Sequence, residues 1–236
     1  MTVSTRTPEN GMPSSADLAG RGLASRDAPH DCPLCPRLVA LRTQWRAREP
    51  LWHNGPVPSF GTAEGRLLIV GLAPGLRGAN RTGRPFTGDY AGTLLYETLV
   101  AFGFATGQFA ARPDDGLRLA DTAITNAVRC VPPENKPTGE EIRACRPFLI
   151  ATIAAMPALR AIVALGRVAH DSVIATLGGR MAHHPFGHGA RHAIKGYTVF
   201  DSYHCSRYNT NTGVLTPEMF RAVFADVRAA LDRTAD

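Results

Sequence analysis

The chain has 236 residues, of which 44% are hydrophobic and 19% charged, with a formal net charge of +6 and a sequence pI near 9.4. No apolar run approaches the roughly 20 residues that a membrane span needs, and the N-terminus lacks the basic-then-apolar pattern of a secretory signal. We therefore expect a soluble cytoplasmic protein that does not interact with membranes. The basic balance permits an anionic partner such as nucleic acid but does not establish one.

The chain divides into a short tail and one domain. Residues 1–25 are rich in Ser, Thr, Pro, Gly and Ala and show no apolar periodicity, so we expect a disordered tail. In residues 26–236 strand and helix patterns alternate four times. The predicted strands are 67–72, 121–128, 161–166 and 197–203, and the predicted helices after them are 93–103, 138–156, 167–177 and 216–231. This alternation predicts an α/β fold with three α/β/α layers and a central four-stranded parallel sheet.

The cysteines form two pairs. Cys32 and Cys35 are two residues apart, and Cys130 and Cys145 flank a proline-rich stretch with 14 residues between them. In a reducing compartment such a set indicates metal or cluster chemistry rather than disulfides. Zinc ribbons favour two tight pairs, whereas iron–sulfur sites accept uneven spacings, so the spacing alone leaves zinc and an iron–sulfur cluster open. Cys205 is left over.

A long glycine-rich loop, residues 71–92, follows the first predicted strand directly. It carries one aromatic ring, Phe86, one carboxylate, Asp89, and three arginines: Arg77, Arg81 and Arg84. A helix pattern begins immediately afterwards, so the loop joins a strand end to a helix N-terminus, where ligands of open α/β sheets bind. Glycine-rich backbone with this many arginines predicts a site for something anionic.

Several stretches together resemble the family 5 (type B) uracil-DNA glycosylases. The matching residues are Gly-Leu-Ala-Pro-Gly at 71–75, Asn-Arg-Thr-Gly-Arg-Pro-Phe-Thr-Gly-Asp at 80–89, and Tyr-His-Cys-Ser-Arg followed by Asn-Thr-Asn-Thr-Gly at 203–213. The similarity runs from about Cys32 to about Ala229. It implies a uracil-DNA glycosylase-like fold and a monofunctional enzyme of base excision repair that extrudes uracil from DNA and hydrolyses its glycosidic bond. It also implies a [4Fe-4S] cluster held by Cys32, Cys35, Cys130 and Cys145, which favours iron over zinc.

The same resemblance implies roles for individual residues of these loops. Asp89 would assist hydrolysis, although a helix N-cap role competes, and His204 would donate a hydrogen bond to uracil O2. The residues expected to bind the base are Ala73, Gly75, Phe86 and Asn126. Phe86 could instead belong to the core, and Asn126 could instead be an ordinary turn residue. The DNA-binding set is Arg77, Arg81, Arg84, Ser206, Arg207, Asn209 and Asn211. Ala73 stands where other glycosylase families carry Asp or Asn, a departure that type B members share.

The expected partner is DNA containing uracil, and similarity to type B members extends the expected lesions to other deaminated bases such as hypoxanthine and xanthine. We expect a monomer associated with the nucleoid. Two other function classes stay open at this point. One is a nucleotide-binding hydrolase that uses the glycine loop as a phosphate cradle, although the loop lacks the endings of a P-loop or dinucleotide fold. The other is an iron–sulfur DNA-binding or redox-sensing protein without catalysis.

Overall fold

A computed structural model describes residues 23–233, and eight strands occur in this part of the chain. They are β1 (Phe60–Gly61), β2 (Leu67–Gly71), β3 (Ala105–Thr106), β4 (Arg118–Leu119), β5 (Thr122–Asn126), β6 (Ala161–Leu165), β7 (Arg191–Ile194) and β8 (Tyr197–Ser202). Six of them form one sheet in the order β1-β5-β2-β6-β8-β7, and β3 pairs with β4 apart from it.

The four central strands of the large sheet, β5, β2, β6 and β8, are parallel, as the sequence predicts. The two edge strands, β1 and β7, are antiparallel and were not predicted. They have two and four residues, too few for a period-2 pattern to identify them. The sheet is therefore a four-stranded parallel centre extended by one short antiparallel strand on each side.

Seven α-helices accompany the strands in the described residues. They are α1 (Pro36–Arg48), α2 (Ala79–Thr82), α3 (Tyr90–Ala101), α4 (Gly139–Ala154), α5 (Arg167–Thr176), α6 (Arg207–Asn211) and α7 (Pro217–Asp232). The capping box predicted from Thr138 is present: its hydroxyl accepts from the N–H of Glu141, and the Glu141 carboxylate accepts from the N–H of Thr138. Thr216 caps α7 through its side chain, which accepts from the N–H of Met219, and Pro217 occupies the first helical position.

Side chains of β2 alternate between two apolar cores, one on each face of the sheet. Leu67 and Ile69 pack with buried residues of α3 and α7, whereas Leu68 and Val70 pack with those of α4 and α5. Because both faces are covered, β2 and β6 are fully buried and read as continuous apolar runs rather than alternating ones. The three predicted layers are confirmed.

The register of the parallel strands brings their carboxyl ends to one edge. Gly71 at the end of β2 pairs with Asn126 at the end of β5, and Leu165 at the end of β6 pairs with Ser202 at the end of β8. The glycine loop, the third cysteine and the loop with His204 all follow these ends. The fold therefore collects the polar loops on one side of the sheet.

Of the segment predicted as a disordered tail, residues 1–22 lie outside the described residues. Residues 23–25 belong to a short 3-10 turn, Leu23–Arg26, and Leu23 is buried in the core beneath α4 and α5. The last three residues of the predicted tail therefore belong to the part of the chain that the structure describes. No helix within residues 23–233 is long and apolar enough to cross a membrane.

Candidate active site

A cavity of about 750 Å³ opens at the carboxyl edge of the sheet, beside the ends of β2 and β5. Its wall is formed by the glycine loop, the first turn of α3, the end of β5 and the loop after β8. Nine of the residues predicted to form the site line it: Ala73, Gly75, Arg77, Phe86, Asp89, Asn126, His204, Ser206 and Arg207. Residues separated by more than 100 positions in the sequence thus share one cavity.

Phe86 and Asn126 form the inner wall of this cavity. Phe86 is 6% exposed, its backbone lies in the left-handed region at φ +51°, and its ring stacks on that of His204 with centroids 5.9 Å apart. Asn126 is 3% exposed, lines the cavity, and makes no side-chain hydrogen bond among residues 23–233. Its amide is therefore available to a ligand that offers both a donor and an acceptor.

Gly71 lies between these two side chains and was not predicted to belong to the site. A Cβ placed on Gly71 would collide with the side-chain oxygen of Asn126 and would lie 2.7 Å from Cζ of Phe86. Only a glycine at this strand end lets both groups approach the same point. The glycine after an apolar strand was visible in the sequence, but nothing there indicated which side chains it admits.

The two carboxylate oxygens of Asp89 have different surroundings. One carboxylate oxygen accepts a hydrogen bond from the N–H of Gly92 at 3.3 Å and so caps α3. The other faces Gly75 and Gly78, where added Cβ atoms would lie 3.1 and 2.5 Å from it. Burial raises the pKa of Asp89 above its ordinary value, partly offset by backbone hydrogen bonds. The competing N-cap role is therefore present, and the same side chain also lines the cavity.

His204 follows β8 and presents its ring to the cavity beside Phe86. Burial lowers the pKa of His204 to about 4, so the ring is a neutral imidazole at physiological pH. A neutral imidazole has one N–H donor. The ring makes no hydrogen bond within the described part of the chain, and that donor is therefore free for a ligand.

Sequence comparisons show the family to which the chain belongs. A family model described as the uracil DNA glycosylase superfamily matches residues 58–228. The chain is 47% identical over 204 residues to a type-5 uracil-DNA glycosylase of Thermus thermophilus, covering 84% of this chain and 92% of that protein. It is 40% identical over 206 residues to a type-5 uracil-DNA glycosylase of Pyrobaculum aerophilum, covering 86% and 89%. This chain belongs to the type-5 uracil-DNA glycosylases.

In this type-5 glycosylase three basic side chains are exposed near the cavity: Arg77, Arg81 and Arg207. Arg77 and Arg207 line its mouth, and the guanidinium of Arg207 lies over the ring of Tyr90 at 5.4 Å. Tyr90, which is 42% exposed and also lines the cavity, was not predicted. Exposed cations beside an opening are suited to phosphate contacts.

The prediction that Arg84 contacts DNA is wrong. Arg84 is 5% exposed, and its guanidinium makes two hydrogen bonds of 2.8 and 2.7 Å to the carboxylate of Asp115. Three aromatic rings surround it at 5.3 to 5.7 Å, those of Phe60, Tyr96 and Phe109. An arginine enclosed in this manner binds the glycine loop to the residues around Asp115, a distant partner that no local sequence pattern indicates.

The residues predicted to bind DNA in the loop after β8 have different surroundings. Ser206 caps α6, accepting from the N–H of Asn209, and Asn211 is exposed. The side-chain amide of Asn209 donates to the carbonyl of His204 at 2.8 Å, so that nitrogen is engaged within the protein. Asn135, from the proline-rich stretch after β5, lines the cavity and was not assigned a role in it.

The four paired cysteines of this glycosylase line a second pocket together, remote in sequence but adjacent in space. Burial raises the pKa of Cys130 to about 12 and that of Cys145 to about 11, which disfavours bare thiolates here. Arg42 is buried and directs one N–H toward the sulfur of Cys130 at 3.9 Å. Cys205 lies elsewhere, buried with its thiol 3.5 Å from the carbonyl of Ala91, and does not line this pocket.

Proposed function

We propose that this chain hydrolyses the N-glycosidic bond of uracil in DNA and leaves an abasic site. The observation that carries the proposal is the convergence of Phe86, Asp89, Asn126 and His204 on one cavity of about 750 Å³. A base inside a duplex must leave the stack before its glycosidic bond can be reached, so such an enzyme needs a pocket that stacks a base and reads its edge. Membership among the type-5 glycosylases supports the same reaction.

Binding would begin at the phosphates. Arg77, Arg81 and Arg207 are exposed around the opening, and such contacts supply salt-dependent affinity without sequence preference. The extruded base would then stack on Phe86, and the free amide of Asn126 would pair with the donor and acceptor on the pyrimidine edge. These contacts position the base without stabilising charge.

The chemical step breaks the bond between C1′ and N1 of uracil, and the bonding electrons leave with the base. Negative charge collects on uracil O2, where the N–H of neutral His204 would donate a hydrogen bond. Donors aimed at developing charge contribute about 100-fold to 1,000-fold in rate. The ionised carboxylate of Asp89 would stabilise the oxocarbenium-like sugar and orient the water whose oxygen adds to C1′. The proton that this water loses would pass through solvent to the departing uracil anion, which leaves as the neutral base.

We also propose that Cys32, Cys35, Cys130 and Cys145 hold a [4Fe-4S] cluster. The four thiols share one pocket. The buried guanidinium of Arg42 beside the Cys130 sulfur, and the backbone N–H of Arg129, which donates to the Cys145 sulfur at 3.2 Å, would offset negative charge there. A cluster of this kind supplies structural cross-linking: it would join the segment before α1 to β5 and α4. Zinc fits four thiols as well, and metal analysis distinguishes the two.

The proposal also covers which damaged bases the enzyme removes and where in the cell it works. Ala73 offers only a methyl group at a position where other glycosylase families carry Asp or Asn, so the cavity selects less strictly and would admit hypoxanthine and xanthine. The formal net charge of +6 suits an enzyme that works as a monomer on cytoplasmic chromosomal DNA.

The test is alkali-revealed strand cleavage of duplexes that carry one uracil, one hypoxanthine or no lesion. We expect the wild-type protein to cleave the uracil strand, and His204→Ala to lose about 100-fold or more in single-turnover rate. Tyr208→Ala serves as the control, because Tyr208 is 75% exposed and does not line the cavity. DNA binding without base release from any lesion would instead support a binding or sensing protein, and nucleotide-induced stabilisation without DNA binding would support a nucleotide hydrolase.

A further inference from the structure

The ring of His204 has no hydrogen-bond partner in residues 23–233, so its position depends on its stacking with Phe86 and on its backbone. On one side the carbonyl of His204 accepts a hydrogen bond of 2.8 Å from the side-chain amide of Asn209. On the other side the N–H of Tyr203, the preceding residue, donates to Nδ1 of His188 at 3.2 Å. Two side chains thus hold the backbone immediately before and after the ring.

The ring of His188 is suited to this acceptor role. It stacks on the ring of Tyr203 with centroids 5.1 Å apart and an interplanar angle of 26°. Burial lowers the pKa of His188 below its ordinary value, partly offset by a hydrogen bond with the backbone of Met219. A neutral ring with its proton on Nε2 can donate to that carbonyl while Nδ1 accepts from Tyr203.

The segment that carries His188 is itself anchored to the sheet by a buried ion pair. Nδ1 of His170 lies 2.7 Å from a carboxylate oxygen of Asp201, and Nε2 lies 2.8 Å from the carbonyl of His184. Both partners can only accept, so both ring nitrogens donate and His170 is an imidazolium. His192 donates to the other oxygen of Asp201 at 2.9 Å.

These three side chains also lie close enough to hold a metal ion, with candidate ligand atoms within 4.8 Å of one another. The hydrogen bonds already account for both oxygens of Asp201 and both nitrogens of His170. The cluster therefore acts as an anchor: it fixes the start of the segment at His184, four residues before His188. The backbone N–H of Gly189 adds a hydrogen bond of 2.9 Å to the carbonyl of Asp201.

We propose that His188 is a positioning residue for His204, because it fixes the Tyr203 peptide from a segment that the His170–Asp201 pair anchors. The inference rests on the proposed function, in which the His204 N–H must meet uracil O2. Misplacing a catalytic group by about 1 Å costs on the order of 100-fold in rate. The expected signature is a loss in the rate of the chemical step without a loss in DNA affinity, since His188 does not line the cavity.

The test uses two substitutions at one position. His188→Asn keeps an acceptor oxygen near the place of Nδ1, whereas His188→Leu keeps bulk beside Tyr203 and removes the acceptor. His183→Leu is the matched control, because His183 is exposed and lies directly before the same segment. Single-turnover rates are measured with saturating enzyme on a uracil duplex, Kd with an uncleavable 2′-fluoro-2′-deoxyuridine duplex, and Tm for each variant.

We expect His188→Leu to lower the single-turnover rate by on the order of 100-fold with an unchanged Kd, and His188→Asn to restore most of that rate. A full rate in His188→Leu would overturn the inference. So would equal losses in both His188 variants that follow their Tm values, because that result describes packing alone. An inactive wild-type protein would instead overturn the proposed function, and this inference with it.

Discussion

Replacing Asp89 with Asn and with Ala separates its two contacts. Asn retains an oxygen that can accept from the N–H of Gly92 and is as good an N-cap as Asp, but it has no charge. Ala removes both the cap and the charge. Loss of an N-cap costs about 1 kcal/mol, which corresponds to a Tm decrease of roughly 2 to 4 °C for a domain of this size. We therefore expect Asp89→Ala to be less stable than wild type.

Asp89→Asn should be at least as stable as the wild type at pH 7. Burial raises the pKa of Asp89, so the folded state disfavours the ionised carboxylate, and the contribution of this group to stability is lost as the pH rises through that pKa. A neutral amide avoids the cost. Both variants should lose about 100-fold or more in single-turnover rate, because the charge opposite the sugar is absent in each.

The assay pairs thermal unfolding with single-turnover cleavage of a uracil duplex over a range of pH. Wild-type rates should fall as the pH falls through the raised pKa of Asp89, since the protonated carboxyl has no charge, and the residual activity of Asp89→Asn should lack this acid limb. If Asp89→Asn cleaves at the wild-type rate, the catalytic role is refuted and Asp89 is a cap alone. If Asp89→Ala and Asp89→Asn unfold at the same temperature, the cap contribution is refuted.

Further predictions concern other parts of the molecule. Arg84→Gln should lower the free energy of unfolding by about 3 to 5 kcal/mol, because it leaves a buried carboxylate unpaired, whereas Arg77→Ala should leave Tm unchanged and reduce the salt slope of DNA binding by about one. Gly71→Ala should lower the cleavage rate by displacing two site side chains, a result checked against Gly139→Ala, whose Cβ meets only a flexible arginine at 3.3 Å. Cys145→Ser should lose iron and visible absorbance and lower Tm, whereas Cys205→Ser should keep its iron. Stoichiometric zinc in the wild type would refute the cluster.

Long periodic or fully apolar segments made most of the fold predictable. Strand 161–166 was predicted and Ala161–Leu165 is observed, and helix 216–231 corresponds to Pro217–Asp232. In such segments burial and capping act within a few residues, so the sequence contains the signal. The short edge strands depend on backbone pairing with β5 and β8, which no local pattern records.

The site was predictable where a residue's role follows from its place at a strand end, and not where it depends on a distant partner. Asn126 and His204 end or follow parallel strands, and both line the cavity. Arg84 lies in the same glycine loop as Arg77, yet it is buried because it pairs with Asp115, 31 residues away. The local sequence predicts the same role for both arginines, and only the tertiary contact with Asp115 distinguishes the buried Arg84 from the exposed Arg77.

The glycine loop also accounts for how a carboxylate reaches a site whose first motif has only a methyl group at Ala73. Asp89 enters from the opposite end of the loop, at the N-terminus of α3, and approaches through the space left at Gly75 and Gly78. A side chain at Gly78 would occupy the place of that carboxylate. The helix N-terminus favours the ionised form of Asp89 that the proposed reaction uses, while burial opposes it. Gly75 and Gly78 therefore leave room for the Asp89 carboxylate, in addition to any role in phosphate binding. The loop needs glycine at these positions because its carboxylate comes from the N-terminus of α3 and not from the end of β2.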